Sequence, residues 1–408
     1  MTAPHVNGGV AAGTIAGAAV GWNVANVGAV SSQTATAYGV SLATVGLFTT
    51  ALFVTHLAMQ VPGGRLVDAL GARHVCTIGL LIVIAGTSIS MIAPQPALGI
   101  GARALTGVGT GLGFIAGTAY IRRSGGSPFA QGLYGGISLG AGGIALAVVP
   151  RLVPELAWRA PYASALVLAI VGLAVLVPAP LDRAAGPSAQ PARSAGVLRD
   201  TGLYRLAVLF SATFGLTVVL GNWVVELLER EGISEAGAGS IGATILTLGI
   251  VSRPLGGWVL RSHGAQTRRV VSFALLAGGA GSVLLALAGS PTVAVLGCLL
   301  LGIGGGIAFA PAFTGAAALR PDAPAAAVGF VNAVAAATVL VLTPILGLTF
   351  SLPGDGRLGF AAAAPIWFAA LAVLPDRRSL GVSDAEDPEI AQRTATRARS
   401  NPAGSSRS

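Results

Sequence analysis

The chain has 408 residues, 53% of them hydrophobic and 10% charged, with a mean hydropathy of +0.78, which leaves too little polar surface to cover a soluble globule of this size. All 24 basic residues are arginine, so chemistry that needs a lysine, such as a phosphate-binding P-loop or Schiff-base catalysis, is excluded. The net charge of +9 is not a nucleic-acid footprint, because the arginines are spread between apolar segments and not gathered on one solvated face.

A bilayer core takes about 20 apolar residues per helix. Runs of that kind fall at 10–30, 43–63, 74–93, 97–118, 129–150 and 160–178, and again at 206–226, 237–258, 269–289, 292–313, 326–350 and 359–375. This pattern predicts an all-α integral membrane protein with twelve transmembrane helices. The expected divisions are a six-helix half over 1–180, a polar Pro/Ala/Ser/Arg linker over 181–205, a second six-helix half over 206–375 and a disordered tail over 376–408. Glycine and alanine crowd the apolar runs, which suits close helix packing in lipid. The two cysteines, Cys76 and Cys298, lie in or at the ends of such runs without metal-ligand spacing and read as buried thiols.

Polar residues inside the runs are candidates for function because each costs free energy to insert. In chain order they are Asn23 and Asn26 in the first run, three apart and so on one helix face, and His56 with Gln60 in the second. Arg103 follows in the fourth, Asn222 in the seventh, Arg253 in the eighth and Asn332 in the eleventh. None of the fifteen acids lies in the middle of a run, and only His56 among the interior groups titrates near neutral pH. An intramembrane enzyme would need a catalytic grouping, yet the four histidines are scattered, no H-E-x-x-H occurs, and no cofactor or metal site is indicated.

An internal repeat joins the two sets of runs. Gly63-Gly64-Arg65-Leu66-Val67-Asp68-Ala69-Leu70-Gly71-Ala72-Arg73 follows the second run, and Gly256-Gly257-Trp258-Val259-Leu260-Arg261-Ser262-His263-Gly264 follows the eighth. The Gly-Gly pair and the later glycine coincide at a constant offset of 193 residues.

The segment Gly64-x-x-x-Asp68-x-x-Gly71-x-Arg73 resembles the signature loop between the second and third helices of the major facilitator superfamily. In the fourth run, Arg103-x-x-x-Gly107-x-Gly109-x-Gly111 resembles that superfamily's arginine and glycine ladder, and Trp158-Arg159-Ala160-Pro161 before the sixth is also typical of it. The resemblance implies a twelve-helix transporter in a bacterial cytoplasmic (inner) membrane. It also implies that Asp68 and Arg73 form a charge latch between helix ends, with Gly64, Gly71 and Arg103 in gating or coupling. Ser252-Arg253-Pro254-Leu255-Gly256-Gly257 is similar to the eighth-helix segment of nitrate/nitrite porters, where such an arginine holds the anion. Their second arginine corresponds here to Gln60.

These features lead to an expectation of alternating-access transport of a small anion, nitrate-like or organic. Arg253, Gln60, His56, Asn23, Asn26, Asn222 and Asn332 are the expected substrate contacts, and protons are a candidate coupling ion. Efflux of a drug-like or other neutral molecule is the alternative. With the N-terminus inside, fourteen arginines flank the cytoplasmic side and four the outer side, which predicts that both termini are cytoplasmic. Accordingly, a membrane-impermeant thiol reagent added outside is expected to label a cysteine placed at Gly354 and to leave one at Pro187 untouched; the reverse pattern would invert the topology.

Overall fold

The computed structural model describes residues 8–40, 42–182 and 196–382. In the first half, α1 (Gly8–Trp22) and the short α2 (Ser31–Tyr38) are followed by α3 (Leu42–Ala58), α4 (Gln60–Leu70), α5 (Ala72–Ser90), α6 (Pro96–Arg123), α7 (Pro128–Leu156) and α8 (Ala160–Leu176). The second half contains α9 (Thr201–Phe210), α10 (Leu216–Arg230), α11 (Glu235–Thr247), α12 (Gly249–Ser262) and α13 (Thr267–Ala286). It closes with α14 (Pro291–Ile307), α15 (Phe309–Leu319), α16 (Pro324–Leu348) and α17 (Arg357–Ala372). No strand occurs among the described residues.

Among the described residues, eight helical segments are long and apolar enough to cross a membrane, and α3 with α4, bent by 47°, makes a ninth as a broken span. The apolar α1 and α17 are shorter. Counting these two as passes, and α7 and α8 as separate ones, gives the twelve expected.

Local chemistry explains the interruptions. The first run was expected as one helix over 10–30, but it stops at Trp22. The Asn23 carbonyl, which a continuing helix would pair with the Val27 N–H, accepts instead from Arg103 Nη2 at 2.9 Å, while the Val27 N–H donates to Asn26 Oδ1 at 3.0 Å. Side chains thus compete with the helix for its own backbone groups. The second run bends at Met59 because Pro62 has no N–H for the Ala58 carbonyl. Pro311 does the same to the Ile307 carbonyl between α14 and α15. The seventh run begins at Thr201, earlier than expected, because Asp200 caps it by accepting from the N–H groups of Gly202 and Leu203. Between α9 and α10 it widens into a π-helical turn, Ser211–Gly215.

Most of the expected linker (183–195) and tail (383–408) lies outside the described residues. The start of that tail, 376–382, folds back on α15: Leu380 is fully buried and the Ser379 carbonyl meets Gly315. Both cysteines are buried, as their setting suggests.

Glycine sets how closely the helices pack. Gly109 of α6 lies against the Gly79 carbonyl of α5, and Gly111 on another face of α6 lies against the His56 carbonyl of α3. In the second half Gly304 of α14 meets the Ala274 carbonyl of α13, and Gly302 meets the Ile245 carbonyl of α11. The halves meet along two seams, α4 on α16 and α7 on α12. A Cβ on Gly64 would stand 2.6 Å from the Ala325 carbonyl oxygen, and one on Gly257 would stand 2.1 Å from that of Pro128. These two glycines, 193 residues apart, therefore meet the first turns of α16 and α7 in turn and close the arginine-rich end of the bundle. Gly257→Val is expected to hold this end apart. A cysteine at Thr314, which lines a cavity of about 60 Å³ beneath the seams, should then react with a polar maleimide from that side about tenfold faster, the effect of roughly 1.4 kcal/mol on opening. Unchanged labelling would dissociate the glycine from closure.

Candidate substrate cavity and helix-end latch

Residues of α1 and the break that follows it, of α3, α6 and α7, and of α9, the π turn, α10, α11, α12 and α16 line a cavity of about 450 Å³ between the halves. Among the expected substrate residues, His56, Asn222, Arg253 and Asn332 line it. The remaining wall is mostly glycine, valine, leucine and phenylalanine, and no carboxylate is among the described lining residues.

Arg253 is 2% exposed. Its guanidinium lies over the rings of Phe309 at 4.5 Å and Phe214 at 5.0 Å, whose π faces attract a cation. Nη1 donates to the Gly135 carbonyl of α7 at 2.8 Å, while Nε and Nη2 have no acceptor in the protein. This approach depends on α7 glycines: a Cβ on Gly132 would stand 2.2 Å from the Arg253 carbonyl oxygen. Buried donors without acceptors are costly, so the guanidinium has donor capacity for an anion entering the cavity.

His56 is held through Nδ1, 3.0 Å from Thr110 Oγ1. Asn222 lies in an exposed part of the wall and has no hydrogen-bond partner among the described residues. Asn332 donates from Nδ2 to Gln60 Oε1 at 2.9 Å, and Gln60 Nε2 donates to the His56 carbonyl at 3.1 Å. Gln60 itself is fully buried outside the lining, where it ties α4 to α16.

Asn23 and Asn26 are outside the cavity lining, although Val24 and Ala25 between them are part of it. Asn26 Nδ2 donates to the Pro161 carbonyl at 2.8 Å, and Asn23 Nδ2 donates to the Ala19 carbonyl at 3.0 Å. Both side chains secure the break after α1. Arg103, 1% exposed, is also outside the lining and serves the same break through the Asn23 carbonyl.

At the arginine-rich end, Asp68 Oδ2 accepts from the Ala326 N–H of α16 at 3.4 Å, and Oδ1 faces Arg123 Nη2 at 3.3 Å. The carboxylate of one half thus caps a helix of the other, where the helix dipole favours negative charge. The resemblance implied Arg73 as its charge partner, but Arg73 Nη1 instead donates to the carbonyls of Val177 at 3.1 Å and Ala179 at 2.5 Å, beyond the end of α8. Gly71, at φ +91°, makes the turn that separates them. Asp182 completes the cluster. It accepts from the N–H groups of Ala72 at 2.7 Å and Arg73 at 3.0 Å and pairs with Arg123 Nη1 at 3.1 Å. Burial alone would raise the Asp182 carboxyl, yet these donors hold it below its ordinary value.

Several of these residues were not selected from the sequence. Arg122-Arg123 counted only as positive flanks, and Asp182 only as linker. The Phe210/Phe214 spacing of one helical turn was the available signal for the aromatic side of the cavity.

The sequence matches the Major Facilitator Superfamily over residues 12–338. The chain belongs to this superfamily. Membership indicates a multi-pass membrane transporter rather than an enzyme. No curated protein sequence matches the chain. Among solved structures, this superfamily member is similar to the human organic anion transporter MFSD10 (TETRAN), at 18% identity and TM-score 0.69 over 90% of this chain and 98% of that one. It is also similar to the E. coli fucose:proton symporter FucP, at 15% identity and TM-score 0.71 over the same shares. A third is the proton:xylose symporter XylE, at 15% identity and TM-score 0.67 over 93% of this chain and 98% of that one. At these identities the likeness establishes the fold.

The two aspartates are expected to fail differently. Asp182→Asn, which weakens bonds within the first half, should cost about 1 to 3 kcal/mol of stability at neutral pH. Because the folded carboxyl lies below its ordinary value of 3.8, its stabilisation is present above that value and is lost as pH falls through the lower folded one. The gap between wild type and variant in a thermal melt should therefore narrow on acidification. Asp68→Asn should instead shift the population between open and closed arrangements, read as altered turnover with little change in melting. Equal melting losses in both variants would remove the latch.

Proposed function

We propose that this transporter is a secondary active carrier that moves an organic anion with an apolar body by alternating access, with Arg253 as the group that attracts the anionic end. The observation that carries this reading is the Arg253 guanidinium, with Nε and Nη2 unpaired at a cavity whose described lining holds no carboxylate. The volume of about 450 Å³ falls within the about 300 to 1,000 Å³ typical of drug-sized ligands. It exceeds what nitrate needs, and the apolar wall suits a hydrocarbon or aromatic body.

In this proposal the arginine-rich end is cytoplasmic in a bacterial inner membrane, as the asymmetry of arginine flanks supports. The closed seams then correspond to an outward-facing arrangement. Residues 1–180 and 206–375 are the two rocking units, joined by 181–205. Gln60 and Asp68 help to hold the cytoplasmic closure, while His56, Asn222 and Asn332 complete the binding wall.

Efflux of a neutral apolar compound is the second reading, favoured by Phe53, Phe114, Val218 and Val339 in the lining. Thermal stabilisation of the purified protein by benzenesulfonate, benzamide and benzyltrimethylammonium separates the two, because a ligand that binds only the folded state raises its melting temperature. The sulfonate is expected to stabilise and the other two are not. Arg253→Lys should then weaken sulfonate binding by roughly tenfold to more than a hundredfold, the equivalent of about 1.5 to 3 kcal/mol, because an ammonium lacks the planar fork of donors. Stabilisation by the amide or the cation in preference to the sulfonate would favour efflux instead.

A further inference from the structure

His56 supplies a second ionisable group to the wall that holds Arg253, and its hydrogen bonds define which nitrogen is free. Thr110 has one hydroxyl proton, directed at the Gly107 carbonyl 3.1 Å away. With the proton so directed, we assign its oxygen as the acceptor for His56, which puts the ring proton of the neutral imidazole on Nδ1. Among the described residues the opposite nitrogen, Nε2, has no hydrogen-bond partner, and it belongs to a side chain on the cavity wall. Its lone pair is thus available inside the binding site. The ring is further fixed by Phe53 and Phe114, with centroids 6.4 and 6.1 Å away.

Among the described residues, no carboxylate is positioned to neutralise a proton there. From α6 the ring meets the Thr110 hydroxyl, and Arg103 lies two turns further along that helix, bonded to Asn23. From α4 the neighbour is the Gln60 amide, and from α16 it is the Asn332 amide already engaged by Gln60. The nearest ionisable group on α2 is Tyr38, whose hydroxyl lies 3.3 Å from that of Tyr162. Across the cavity, α12 presents Arg253.

We propose that His56 Nε2 is the proton-binding site of the carrier and that one proton travels with each monovalent anion. This rests on the anion reading above. In the empty cavity, Arg253 contributes one positive charge and the imidazole is neutral. Adding a proton alone would place two cations on one apolar wall, where repulsion is poorly screened. With a monoanion against Arg253, the proton has a counter-charge, and the loaded site returns to a net charge of one. Anion and proton therefore favour each other's binding, and the carrier reorients with the same charge in the site whether empty or loaded. The step balances simply: a proton from bulk water adds to the Nε2 lone pair, the new N–H donates to an oxygen of the anion, and the proton leaves to water when the anion departs on the other side. Thr110 is a positioning residue that keeps Nε2 toward the cavity.

Benzenesulfonate is a suitable probe because it stays ionised between about pH 5 and pH 8, the range in which histidine titrates. Any proton taken up on binding then belongs to the protein. Calorimetric titration of the wild type in buffers of differing ionisation enthalpy is expected to show up to about one proton bound per anion, with affinity rising by up to about tenfold per unit fall in pH. His56→Gln should abolish both the uptake and the pH dependence, with its fold checked independently by thermal melting. Sulfonate binding that is lost in Arg253→Gln but brings no proton uptake in the wild type overturns this inference alone. So does uptake that persists in His56→Gln. Failure of wild type to bind the sulfonate would overturn the underlying anion reading.

Discussion

The two halves touch at backbone distance, and this contact depends on the absence of a side chain at a few positions. Gly64 lies against Ala325 and Ala326, Gly257 lies against Pro128 and Phe129, and Gly329 lies against the Gln60 carbonyl. In lipid there is no hydrophobic drive to press helices together, so packing contact and hydrogen bonds must do it. The close approach brings Asp68 within reach of the α16 N-terminus, lets Asn332 meet Gln60, and places the Arg253 guanidinium against the Gly135 carbonyl. The cavity is the volume left where the same helices diverge above these contacts.

The two seams are chemically different despite the repeat that relates their glycines. The α4–α16 seam carries a charged helix cap at Asp68 and an amide pair between Gln60 and Asn332. At the α7–α12 seam, Arg261 occupies the position equivalent to Asp68, and the α7 N-terminus is capped locally by Ser127. Its polar link to the other half is Arg253, which is also a cavity residue. One seam is thus joined by a charged cap and an amide pair, and the other by a guanidinium that also lines the cavity.

The fold class was legible because apolar runs of spanning length, glycine stripes and the 193-residue repeat are all local or periodic signals. Hydrophobicity could not show where an apolar helix breaks. Asn23 and Asn26 looked like a polar face awaiting a ligand, yet their amides bond the backbone carbonyls of Ala19 and Pro161, and Arg103, expected in gating, bonds the Asn23 carbonyl freed where α1 stops. Arg253 was recognisable from its motif and apolar setting, but its aromatic companions come from two other elements. The latch was half legible for the same reason. Asp68 is in the signature loop, while Arg123 and Asp182 reach it from the ends of two distant helices, a relation no spacing in the chain records.

The absence of lysine and the burial of both cysteines also leave the protein with few strong surface nucleophiles. Cys76 directs its thiol at the Gly113 carbonyl 3.8 Å away, and Cys298 is equally enclosed. Amine-directed acylating agents therefore find no lysine to attack, and neither thiol is presented to thiol-directed alkylating agents. In the laboratory, one engineered surface cysteine would give a nearly silent background for site-specific attachment of a fluorophore or spin label.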